Sequence, residues 1–148
     1  KNNINLIGEY CIMGRKTASL PPAEAFTVIV LFSAMGDGRL EEEEMDIIVN
    51  VLARMNTFRS YRGSMKQLLD KSMKYLTSNP AEALAESIAS LPKDLHDTAF
   101  AVAVDIIMSD GNVSESEEVA MLLLADKLSV TKAKAKKIIE VMVIKNKG

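Results

Sequence analysis

Apolar residues recur along this chain at three- and four-residue intervals, the spacing that gathers them on one face of an α-helix, and no sustained period-two alternation with hairpin turns interrupts them. The pattern predicts an all-α protein of seven to eight helices. A weak helical pattern of Ile4, Leu6, Ile7, Tyr10 and Cys11 occupies residues 1–15. A stronger one opens at Pro21 and Pro22 and runs to about Met35, proline being suited to a first turn because its missing N–H would be unpaired there anyway. After a loop from Gly36 to Leu40, residues 41–55 place Met45, Ile48, Val49, Leu52 and Met55 on one side. The next helix covers about 60–76 and stops at TSNP. Pro80 starts another, with Ala83, Leu84 and Ile88 inward, and LPKD breaks it near Ser90. Residues 94–108 form a second strongly apolar helix, 115–128 follow a second loop, and Thr131 caps a last helix to about Lys145. No linker long or polar enough to separate two domains intervenes, so residues 1–148 are expected to form one compact domain.

The two most apolar helices, AFTVIVLFSAM and AFAVAVDIIM, are each followed by a similar acidic string. Residues 34–44, AMGDGRLEEEE, match residues 107–117, IMSDGNVSESE, at an offset of 73. Asp37 falls on Asp110, Gly38 on Gly111, Leu40 on Val113 and Glu44 on Glu117. An amphipathic run follows each, which makes the unit a helix, an acidic DG loop and a helix, written twice. The second string reads like the latter half of a calcium-binding EF-hand loop, with Asp110 and Gly111 at loop positions five and six and Glu117 at twelve. Positions one and three would then be Ile106 and Met108, which carry no oxygen. A complete EF-hand is excluded.

These two D-G-x-[LV]-x-x-x-E motifs, Asp37 to Glu44 and Asp110 to Glu117, and above all the string SDGNVSESEE, resemble the TerB-like tellurite-resistance family over roughly residues 20–145. The resemblance implies an all-helical fold whose paired acidic motifs serve as a divalent-metal site or an acidic docking surface. The first copy departs from the family pattern by carrying Glu41 where a Ser or Thr cap is expected.

Two readings of the acids compete. Ser114 followed three residues later by Glu117 is a capping box, and carboxylates in a helix's first turn gain about 0.3 to 1 kcal/mol from the helix dipole, so capping explains them with no metal. If instead the loops converge, Asp37, Glu44, Asp110 and Glu117 come within reach of one ion, and their mutual repulsion calls for a cation. Oxygen ligation favours calcium, magnesium or manganese. Alternatively each loop binds separately, the second through Asp110, Asn112 and Glu117.

Composition narrows the alternatives. An apolar fraction of 48% with 26% charged residues is that of a globular protein. The net charge of -2 conceals an asymmetry: residues 37–46 hold six acids and one base, residues 127–147 seven lysines and one Glu. The basic segment has no Arg cluster or aromatic residue with which to stack a base, so a solvated helix face is expected rather than nucleic-acid binding. The single Cys11 excludes an internal disulfide and fits a cytoplasmic protein. The longest apolar run, from Ala25 to Met35, is too short for bilayer insertion. His96 is the only histidine, which leaves it a surface or cap role. Asp105, inside an apolar helix, calls for a basic partner or serves as a further ligand. Most of the nine Met residues sit at core spacing.

The expected function is a non-enzymatic helical module of a tellurite-resistance or metal- and stress-response system, binding a divalent cation or a partner protein through the acidic loops. A partner of membrane-associated type and self-association are both compatible with it. The alternative is a pure protein-interaction domain, of the type joined to co-chaperones, whose acids only cap helices. A metal-dependent hydrolase ranks last, since Arg39 is the only evident anion-binding residue near the loops.

Overall fold

Eight α-helices and one 3-10 turn follow one another through residues 19–36 and 39–147, the part of the chain that the computed structural model describes. They are α1 (Pro22–Ala34), α2 (Glu42–Ala53), α3 (Asn56–Arg59), α4 (Met65–Ser78), α5 (Pro80–Ser90), the 3-10 turn Lys93–Leu95, α6 (His96–Ile107), α7 (Glu115–Lys127) and α8 (Lys132–Lys145). The helical pattern expected within residues 1–15 lies outside the described residues.

The centre is α1, because a helix apolar on every side can only be stable when covered on every side. Ala25, Phe26, Val28, Ile29, Val30 and Leu31 are all buried, with α4, α5 and α6 packed around them. Thr27 is buried too, and its hydroxyl donates to the Ala23 carbonyl at 2.7 Å, which satisfies it within the helix. The second hub is α6, which touches α1, α2, α7 and α8 and buries Ala99, Phe100, Ala103, Val104 and Ile106. Thus the two helices with the most continuous apolar runs pack against each other at the middle. The stripes expected on the outer helices also face inward: Ile48 and Leu52 of α2 and Ala83 and Leu84 of α5 are buried, while Met45, Val49 and Ile88 are half-buried against them.

One element differs from expectation. The helix predicted over about 60–76 begins only at Met65, and the one-turn helix α3 precedes it. Ser64 takes the N-cap position and its hydroxyl accepts from the Gln67 amide at 3.1 Å, so a local cap sets the start. Before it the Tyr61 ring lies over Gly63, where an added Cβ would come within 2.7 Å of the ring. In turn α3 is anchored by Phe58, whose ring meets that of Phe26 edge-on at a centroid distance of 5.8 Å. No helix among the described residues is long and apolar enough to cross a membrane.

Candidate functional site

The ends of α1 and α6 and the first turns of α2 and α7 converge on one cavity of about 200 Å³. Its walls are Ser33, Ala34 and Gly36 at the end of α1, and Ile106, Ile107, Ser109 and Asp110 at the end of α6. Glu44 and Ile47 enter from α2, and Ser116, Glu117 and Ala120 from α7. Three of the five residues expected to ligate a cation, Glu44, Asp110 and Glu117, therefore border the same space. Asp37 lies outside the described residues. Asn112 is exposed and does not line the cavity.

Local hydrogen bonding places each carboxylate. In the second loop the Glu117 amide donates to Ser114 Oγ at 3.2 Å and the Ser114 amide donates to Glu117 Oε2 at 2.8 Å, the reciprocal pair of a capping box. In the first, the Glu41 amide donates to Glu44 Oε2 at 2.9 Å. Glu41 holds the N-cap position with φ -77° and ψ 160°, against -77° and 159° at Ser114, and Glu41 and Glu44 form the same reciprocal box. The backbone enters both helices in the same way despite the missing Ser or Thr. Asp110 Oδ1 accepts from the Asn112 amide at 3.0 Å, which closes a short turn over Gly111 at φ +81°.

Each of the three carboxylates thus spends one oxygen on a backbone amide. Two of them sit at helix N-termini, where unpaired amides and the aligned peptide dipoles favour negative charge. That field offsets part of the repulsion between acids sharing a cavity. Among the described residues no three of His, Cys, Asp or Glu come together as a ready-made set of metal ligands. The cavity's lining mixes the three carboxylates with the apolar side chains of Ile47, Ile106 and Ile107.

Beside it runs a larger apolar groove of about 500 Å³, bordered by Phe32, Met35, Leu76, Pro80 and Leu124. The two spaces share Ser33, Gly36, Ile107 and Ala120 as walls. Sequence reasoning did not find this groove. The available signal was Phe32, a large apolar residue that remains 39% exposed.

The remaining candidates lie elsewhere or have partners. Asp105 is held by Lys145 Nζ at 2.8 Å and Asn146 Nδ2 at 3.1 Å, so the base it called for comes from the end of α8. The two ring nitrogens of His96 stand 3.0 Å from the carbonyl oxygens of Leu128 and Leu91, where the imidazole ties the start of α6 to the ends of α7 and α5. Arg39 is exposed and does not line the acidic cavity. No family model, curated protein or solved structure matches this chain.

Proposed function

We propose that this chain is a non-enzymatic helical module of a metal- or stress-response system, of the tellurite-resistance type that its motifs resemble, and that its paired acidic loops take up a divalent cation. The observation that carries this reading is that Glu44, Asp110 and Glu117, drawn from two loops about seventy residues apart in the sequence, border one cavity with one oxygen of each carboxylate not used in capping. Two loops of matching sequence and matching cap conformation support their treatment as one repeated unit. All-oxygen donors suit calcium, magnesium or manganese.

Titration with each of these ions during thermal unfolding tests the reading. A cation that binds only the assembled loops stabilises the native state by mass action, about 2.7 kcal/mol at a hundredfold excess over Kd. For a domain of this size that raises Tm by roughly 5 to 10 °C. Asp110→Asn combined with Glu117→Gln should abolish the rise. Glu117→Gln alone should reduce it while preserving the helix start, because Gln still serves a capping box. If the wild-type protein shows no rise with any of the three ions, the cation reading fails and the acids are caps.

A second reading, a protein-interaction domain, is favoured by the apolar groove that shares walls with the acidic cavity. A basic peptide with adjacent apolar residues fits such a pair of surfaces, the groove taking the apolar side chains and the acids the cationic one. Binding lost on Phe32→Asp and on Glu44→Gln would favour it over the cation.

A further inference from the structure

The helix α7 is apolar on both of its sides. Met121, Leu124 and Ala125 face the core, while Val119, Leu122 and Leu123 on the opposite side are 56%, 47% and 58% exposed. Three residues at this spacing are neighbours on a helix surface, so they form one patch. A helix apolar all round is ordinarily buried all round, and α7 is covered on one side only. The uncovered side is rimmed mainly by acids: Glu115, Glu118 and Asp126 are exposed and form no ion pair among the described residues, and Lys127 at the end of the helix is the one base beside them.

The next helix, α8, packs against α7 and carries the opposite rim. Its inner side is Ala135, Ile138, Ile139 and Met142, and Lys134 and Lys145 fasten it to Asp97 and Asp105 of α6 at 2.6 and 2.8 Å. On its outer side Val141 and Ile144 are 58% and 74% exposed. Lys137 and Lys147 flank them at helical spacing and Lys132 and Lys136 lie earlier on the helix, all exposed and without an ion pair among the described residues, and Glu140 is the lone acid of the helix.

We propose that a second copy of this chain covers both stripes, through a two-fold axis that lays α7 of each protomer on α8 of the other. Charge selects this arrangement. Pairing α7 with α7 sets acids against acids, and pairing α8 with α8 sets lysines against lysines. The crossed pairing places each acidic rim on a basic one, and the two-fold axis makes the contact twice, which closes the assembly. An anionic lipid surface would attract α8 but repel the adjacent acidic rim of α7, so a second copy fits the whole surface better. The apolar centres supply the buried area, and the rims set register and suppress wrong pairings. This inference is independent of cation binding.

Sedimentation of the full chain from low micromolar to near-millimolar concentration is the test. The wild-type protein should form a dimer that weakens as salt screens the rims, and Leu123→Glu or Ile144→Glu should leave it monomeric with unchanged helical circular dichroism. Charge reversal decides the matter even where those variants fold poorly, since it alters exposed rim positions only. The variant with Glu118→Lys and Asp126→Lys, and the variant with Lys136→Glu and Lys137→Glu, should each be monomeric alone. Mixed together they should recover the dimer, because each then offers the other an opposite rim. A wild-type protein that stays monomeric throughout, a dimer indifferent to either reversal, or a mixture that remains monomeric would each overturn the proposal.

Discussion

Two of the described residues adopt the left-handed backbone region, and they differ in whether their side chain suits it. Gly111 does so at φ +81° in the second acidic loop, with nothing within 4 Å of the position a Cβ would take. Gly111→Ala therefore costs only the conformational penalty, about 1 to 2 kcal/mol in urea unfolding. Ser129 does so at φ +56° just past α7. The Val130 amide donates to the Ala125 carbonyl at 2.8 Å and the Ser129 amide to that of Asp126 at 3.0 Å, the two bonds of a Schellman ending, a position that favours glycine. Ser129→Gly should stabilise by about 1 kcal/mol, opposite in sign to Gly111→Ala although both lie in short loops. A third residue reports on pH. The hydrogen bond and charge of Glu24 hold the Lys71 ammonium above the ordinary lysine value of 10.5. A raised folded-state value contributes stability that is fully present below 10.5 and is lost as pH rises through the folded value. The advantage of the wild-type protein over Lys71→Met should thus be constant at neutral pH, small and salt-sensitive because Lys71 is mostly exposed, and should vanish in strongly alkaline solution.

At the scale of elements, the helix starts carry most of the local information. Ser64, Asn79, Ser114 and Thr131 each accept a backbone amide three residues on, and each begins a helix where its side chain can do so. Glu41 differs among the two acidic loops in presenting a carboxylate, rather than a hydroxyl, as the acceptor of its capping box. Ser114→Ala should cost about 1 kcal/mol and Glu41→Ala about 0.5 to 1 kcal/mol, since each removes the acceptor of its capping box. A loss at Ser114 with none at Glu41, measured as shifts in the urea midpoint at constant slope, would show that the two helix starts are not equivalent in the way their backbone angles indicate.

Across the whole molecule, α1 and α6 form the axis and the remaining helices wrap them, which brings the two acidic loops to one cavity. Distant parts are held by few side chains. The one-turn helix α3 is joined to α1 by the edge-on pair of Phe58 and Phe26. Phe58→Ala empties a buried site beside the central helix and should cost about 3 to 5 kcal/mol, well above any cap substitution. A loss below about 1 kcal/mol in equilibrium unfolding would mean that α3 contributes little to the core.

The all-helical class, the two central helices and most helix ends were legible in the sequence because each depends on residues within one or two turns. An unbroken apolar run must be covered, and a Ser or Thr before it must meet an amide three residues ahead. The break at Tyr61 to Ser64 was less legible, because it depends on the Tyr61 ring lying over Gly63 and on the Ser64 cap rather than on apolar spacing. The matching DG strings pointed to a pair of loops, yet only the packing of α1 on α6 put Glu44, Asp110 and Glu117 around one space and left Asn112 outside it. Asp105 was recognisable as a carboxylate in need of a base, but Lys145, forty residues on, was determined by where α8 lies. Helix propensity, capping and amphipathic spacing are properties of neighbours in the chain. Cavities, charge partners and uncovered faces arise between neighbours in space, and only the tertiary structure decided those.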